Sequence, residues 1–152
     1  MTALDIVPLC DDSGRIVRTD LADALCVLHR QLRPMLPDNG AAYLAKMQRV
    51  CHYGARLVAA LDGDGHPVGM ALYRVYENTY EDLRLYVDDL VCDEASRSQG
   101  VGSQLLAWCE AQARAAGCRF IVLDSGTWRT QAHKLYFRLG FSITSFHFTK
   151  PL

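Results

Sequence analysis

The run RSQGVGS, Arg97 to Ser103, places two glycines, three uncharged polar residues and an arginine one residue ahead of the apolar stretch LLAWC. A helix that begins on backbone poor in side chains leaves N–H groups unpaired at its positive dipole end, which is a site for phosphate-like anions. Gly100 and Gly102 would equally allow a tight turn. Just upstream, YVDDLVC carries Asp88 and Asp89, and downstream AHKLYFRLGF carries Tyr136. A carboxylate and a phenol are groups that can take and give a proton during transfer chemistry.

Two phosphate-binding patterns can be tested on spacing. A P-loop ends in Gly-Lys-Ser/Thr, a combination the chain lacks. The dinucleotide fingerprint fits in part, because GVGSQL follows a strand-like run, opens a helix, and is followed by Asp124 at 22 residues beyond Gly102. Against it, Leu105 occupies the place of the third glycine, and Asp93 to Gln99 separate the strand from the glycines where the fingerprint turns at once.

The surrounding pattern supplies the scaffold. Leu4 to Leu9 reads as a strand, closed by the turn signal DDSG. Leu21, Leu25, Leu28 and Leu32 share one face of a helix begun at Thr19 or Asp20 and stopped by Pro34, and a second helix runs from about Gly40 to Tyr53. RLVAALDGDGHPVGMALYRVY predicts a hairpin turning in DGDGHP. In the next strand, LRLYVDDLVC, regular alternation puts Leu83, Leu85, Val87, Asp89 and Val91 on one face, and Arg84, Tyr86, Asp88, Leu90 and Cys92 on the other. Gly100 to Ala116 is helical, Cys118 to Asp124 is a short strand, Arg129 to Leu139 is a last helix, and FSITSFHFT alternates as a final strand. The fold class expected is α/β, a sandwich around a mixed central sheet with a strand–helix–strand unit across residues 85–124.

Composition narrows the function classes. A chain of 152 residues with 50% hydrophobic and 22% charged positions suits one globular domain spanning residues 1–152. Its net charge of −1, with acidic and basic residues dispersed, argues against a general nucleic-acid binder. No run reaches the ~18 apolar residues of a membrane span, and no export signal is visible, so a cytoplasmic protein without membrane partners is expected. The six cysteines contain no CxxC pair and read as free thiols, mostly buried; the five histidines show no metal-ligand spacing, so no metal is expected and each histidine should be satisfied or exposed.

Arg97-x-x-Gly100-x-Gly102 after YVDDLVC resembles motif A of the GNAT acetyltransferases, (R/Q)xxGx(G/A), and Ala132, Tyr136, Gly140 and Phe141 are similar to that family's Axx(F)YxxxGF segment. The likeness covers about residues 83–150, and the first 82 match only in the order of elements. It implies a GNAT-like fold, acetyl-CoA as cosubstrate, and its pyrophosphate held by Arg97, Ser98, Gln99, Gly100, Val101, Gly102 and Ser103. The pantetheine arm would run along the backbone of Leu90, Val91 and Cys92, with the Cys92 N–H as oxyanion donor, a contribution of roughly 10²–10³ in rate.

The resemblance also implies Tyr136 as general acid, although periodicity alone makes it a core aromatic beside Leu135 and Leu139. Protonating a thiolate from a phenol is uphill by roughly 2 kcal/mol, a gap that a desolvated site can close. Deprotonating an alkylammonium at neutral pH costs roughly 4–5 kcal/mol, and Asp88 is the candidate base; it could also be a hydrogen-bond anchor. Glu77 and Glu81 are weaker candidates for a cationic acceptor, with solvated loop charge as their default, and Lys134 is an exposed lysine within reach of a CoA phosphate. Arg129 stands where many members have Asn, and Cys92 where Val is usual. The tail AHKLYFRLGFSITSFHFTKPL is similar to aminoalkylphosphonate N-acetyltransferases. The partner expected is a small primary amine, with a homodimer as the assembly common in the family. The rival readings are a catalytically silent acyl-CoA sensor and a dinucleotide-binding protein.

Overall fold

A computed structural model of the chain describes residues 3–152. It forms two compact units, one ending at Val122 and the other running Leu123–Leu152. In the first, β1 (Asp5–Pro8) is followed by a short 3-10 turn and α1 (Ala22–Leu32), then by α2 (Gly40–His52), β2 (Ala55–Leu61), β3 (Pro67–Asn78), β4 (Asp82–Cys92) and α3 (Val101–Ala115). The sheet closes with β5 (Phe120–Leu123) in the order β1-β2-β3-β4-β5. The first four strands are antiparallel neighbours, and with β5 the sheet is mixed, as the α/β expectation required.

Each helix follows from its sequence. Asn39 caps α2 by accepting the Ala42 N–H at 2.9 Å, so Gly40 opens the helix without a side chain of its own. The turn between β2 and β3 is fixed by Asp62, whose carboxylate accepts the N–H groups of Asp64 and His66. Asp64 and His66 are thereby drawn close to Asp62 in an exposed turn cap.

Helices α1 and α2 cover one face of the sheet. Leu25, Leu28, Tyr43 and Met47 pack there with Leu57, Ala59, Leu61, Met70, Leu72 and Val91 in one core. Helix α3 covers the other. It comes so close to β3 that a Cβ on Gly69 would stand 2.5 Å from Val101 Cγ1 and 2.9 Å from Leu105 Cδ1, and Trp108 meets Tyr73 edge-on at 5.7 Å. Because both faces of β2 are covered, Ala55–Leu61 reads as an unbroken apolar run rather than an alternation.

Several expectations change in the first unit. The link ahead of β4 is tighter than ENTYED suggested, since β3 extends to Asn78 and the chain reverses with Asp82 at a φ of 56°. Glu81 is then not a solvated loop charge: it is 7% exposed, bound to Arg84 at 2.7 Å, with its N–H on Asn78 Oδ1. The thiols are all free as expected, but Cys10, Cys92 and Cys118 are only half-buried.

The second unit holds α4 (Thr130–Arg138), ended by Gly140 at a φ of 89°. The Phe141 N–H returns to the Tyr136 carbonyl, and the two rings meet edge-on at 5.9 Å. His133 Nε2 lies between Ser125 Oγ and the Gly126 carbonyl. FSITSFHFT forms no strand among the described residues. Alternation marks a strand only where another backbone pairs with it, and the ladders formed by the described strands do not include this segment.

Candidate functional site

The site predicted from spacing begins where β4 ends. Asp93 donates its N–H to the Val68 carbonyl, a 3-10 turn covers Glu94–Ser96, and the chain reaches α3 through two left-handed residues, Ser98 at a φ of 65° and Gly100 at 79°. A left-handed serine costs about 1 kcal/mol, so this loop shape is held against a local penalty. Gly100 is the N-cap of α3, and no side chain caps it. The first helical bond is Gln104 N–H to the Gly100 carbonyl, so the N–H groups of Val101, Gly102 and Ser103 have no acceptor within the helix. Val101 and Gly102 are buried, which fixes these donors on the rigid end of the helix. Arg97 lies beside Glu94 at 3.4 Å, both exposed. A diphosphate fits this backbone: three aligned donors, a positive helix end, and a cap position with no side chain in competition.

The backbone of Leu90, Val91 and Cys92 pairs on one side with Ala71, Met70 and Gly69 of β3. On the other side β5 has only four residues against the eleven of β4, and the Arg119 N–H joins the Leu83 carbonyl near the start of β4. Its ladder cannot follow β4 to the end. Burial pushes the Cys92 thiol up, which leaves its side chain inert and its backbone as the useful part.

The carboxylates differ from the regular-strand expectation. Leu72 pairs with Asp89 while the adjacent Tyr73 pairs with Val87, so Asp88 is an extra residue and β4 carries a bulge there. The bulge exchanges faces. Leu85 and Val87 pair with Val75 and Tyr73 on the α3 side, whereas Asp89 and Val91 pair with Leu72 and Met70 on the α1/α2 side. Asp88 does not share a face with Cys92, which lies opposite Gly69 on the α3 side. Asp88 and Asp89 instead reach toward the same face. Asp88 Oδ2 accepts from Arg74 Nε at 2.6 Å, and Arg74 also donates to the Tyr53 carbonyl at the end of α2. Asp89 accepts from His29 on α1 at 2.8 Å and from Arg33, the residue just past the end of α1, at 2.6 and 3.0 Å.

The two carboxyls titrate in opposite directions. Burial pushes Asp88 up, the Asp89 charge adds to the rise, and Arg74 only partly opposes it. For Asp89 burial also works upward, but the hydrogen bonds from His29 and Arg33 outweigh it and hold the group below the ordinary Asp value. Neighbouring carboxyls pushed apart in this way define one group that stays charged to lower pH and one that keeps its proton to higher pH than an ordinary aspartate.

His29 is the residue that spacing missed. It is 1% exposed, with Nδ1 at 3.0 Å from the Tyr43 hydroxyl and Nε2 on Asp89. Its place four residues after Leu25, on the apolar stripe of α1, was the available signal. Tyr136 lies in α4 of the second unit, and Arg129, where an asparagine is usual in the resembled motif, precedes that helix without a side-chain cap.

A family model, Acetyltransferase (GNAT) family, matches residues 25–141, and the chain belongs to that family. Among curated proteins it is 37% identical over 90 residues to an aminoalkylphosphonate N-acetyltransferase of Salmonella typhimurium, a match covering 59% of this chain and 58% of that protein. The chain thus spans less than two thirds of that relative's length. It is 35% identical over 96 residues to the uncharacterised N-acetyltransferase YhdJ of Bacillus subtilis, covering 53% of this chain and 68% of that one. Among solved structures, aminoglycoside N-acetyltransferase AAC(6')-Iy in complex with CoA superposes with a TM-score of 0.79 at 20% identity, over 100% of this chain and 96% of that one. That likeness is one of fold. Among the described residues no helix is long and apolar enough to cross a membrane.

Proposed function

We propose that this protein moves the acetyl group of acetyl-CoA to the primary amine of a small molecule, in one direct step. The observation that carries the proposal is the start of α3: an uncapped Gly100 in the left-handed region and three N–H groups without helical acceptors, set just beyond the end of β4. Acetyl-CoA supplies the activated acyl group and a thiolate that can depart. The donors of residues 101–103 hold the diphosphate, and the outer backbone of Leu90–Cys92 lies along the pantetheine arm. The Cys92 N–H donates to the carbonyl oxygen as negative charge develops there.

Proton traffic falls to two side chains. Asp88 takes the proton that the acceptor's ammonium must lose before nitrogen can bond to the acyl carbon. Tyr136 gives its phenolic proton to the sulfur as the carbon–sulfur bond breaks, and it is assigned on the motif register of AHKLYFRLGF. A small acceptor is favoured by the names of the relatives, one an aminoalkylphosphonate and the other an aminoglycoside N-acetyltransferase. The family match crosses both compact units, which supports one functional domain, and a cytoplasmic homodimer without nucleic-acid partners remains the assembly proposed.

Following CoA release with a thiol reagent against a panel of small primary amines tests this function. Tyr136→Phe should lower turnover at least about tenfold while acetyl-CoA affinity stays within about twofold of the parent. Equal turnover would remove Tyr136 from the mechanism. Acetyl-CoA binding with no CoA release for any amine would identify an acyl-CoA sensor instead.

A further inference from the structure

Buried polar groups in a core have to be explained, and His29 and Glu81 are the polar side chains most fully enclosed among the described residues. Glu81 is accounted for by Arg84 and the tight turn it closes. His29 closes no turn. It stands in α1 between Leu25 and Leu32 with both ring nitrogens engaged, Nδ1 to the Tyr43 hydroxyl and Nε2 to Asp89. Leaving either nitrogen unpaired at this depth would cost about 1–3 kcal/mol, so the arrangement persists only as a complete set.

The set has a direction. A charged carboxylate can only accept, so Nε2 carries a hydrogen and donates it to Asp89, while Nδ1 lies in hydrogen-bond contact with the Tyr43 hydroxyl. Arg33, the C-cap of α1, takes the other Asp89 oxygen. Asp89 is thereby tied to one helix by two donors, and Asp89 is the residue beside the extra residue of the bulge. The charged and titratable groups around the pair are His29 from α1, Arg33 at its C-cap, Tyr43 from α2, Arg74 from β3, and the two aspartates of β4.

We propose that His29 is a positioning residue for acetyl transfer: by holding Asp89 through Nε2–H it pins the bulge of β4, so that Asp88 is aimed at the α1/α2 side and keeps a fixed negative neighbour. This rests on the transferase reading and on Asp88 as its base. His29 itself is enclosed and touches no reactant. Its influence passes through Asp89, whose charge adds to the rise that burial gives Asp88 and so shifts the pH at which Asp88 becomes available as a base.

Three variants separate positioning from packing. His29→Leu fills the space without a donor, His29→Gln restores a donor near Nε2, and Asp89→Asn removes the charge while keeping the shape. For each, kcat with a saturating amine, acetyl-CoA affinity, thermal midpoint and the pH dependence of kcat/KM are measured, alongside a carbon NMR titration of the aspartate carboxyls. His29→Leu should lower kcat about tenfold or more with acetyl-CoA affinity unchanged, and His29→Gln should recover most of that loss. Asp89→Asn should move the ascending limb of kcat/KM, and the Asp88 titration seen by NMR, to lower pH. If His29→Leu loses thermal stability alone, with kcat and the Asp88 titration as in the parent, His29 is a packing residue and the proposal fails. If the parent protein releases no CoA, the transferase reading fails first, and the NMR titration alone still shows whether Asp89 controls Asp88.

Discussion

Gly102→Trp should weaken acetyl-CoA binding at least about 100-fold, equivalent to ~2.7 kcal/mol. Gly102 is the second residue of α3 and is buried, and its N–H is one of three at the helix start without a helical acceptor. Val101 on its N-terminal side is already packed against Gly69, so the helix end cannot retreat to make room. An indole there would stand over donors that work only if an anion approaches the bare backbone. The measurement is calorimetry on both proteins, with circular dichroism and a thermal melt to verify that the variant is folded. A folded variant with unaltered affinity would break the link between the glycines and the diphosphate.

Asp88→Asn should lower kcat/KM by about 10²–10³ and abolish the ascending limb of its pH profile. In the parent that limb should lie above the ordinary Asp value, because burial raises the Asp88 carboxyl and the Asp89 charge adds to it. The stability consequence has the opposite sign for the two neighbours. Asp88 binds its proton more tightly in the folded chain, so its contribution falls as pH rises from the ordinary Asp value through the raised one. Asp89 is held charged, so its contribution is complete above the ordinary Asp value and is lost as pH falls through the lowered one. Replacing Asp88 should therefore leave the acid limb of a stability titration in place, while replacing Asp89 should shrink it. An Asp88→Asn enzyme with the parental pH limb would assign the base elsewhere.

The legible parts of this protein were those written by local pattern. The period of α3, its glycine start and its stop at Gly117 are visible in residues 100–117, because capping and amphipathic spacing act over a few positions. The hairpin of β2 and β3 is visible for the same reason. The bulge was not legible, since two adjacent aspartates in YVDDLVC are compatible with regular alternation, and only pairing with Leu72 and Tyr73 shows that one of them is extra. That single residue moved Leu90 and Cys92 off the Asp88 face and brought Asp89 onto it. Its partner His29 lies 60 positions away, a contact that no local period encodes. The tail failed in the reverse sense: FSITSFHFT has the alternation of a strand, but hydrogen-bonded pairing is a property of two segments, and pattern reports on one. Glu81 reads as loop charge from its type and place, because a short reversal by Asp82 is decided by backbone conformation, which a charged residue type does not reveal.

The most direct test of the central claim is a calorimetric titration of the purified protein with acetyl-CoA, run beside a matched titration with NAD. Binding of acetyl-CoA at one site with a Kd of about 1 μM, roughly −8 kcal/mol, and no heat from NAD is the predicted result. Heat from NAD with none from acetyl-CoA would contradict it and return the glycine loop of α3 to a dinucleotide.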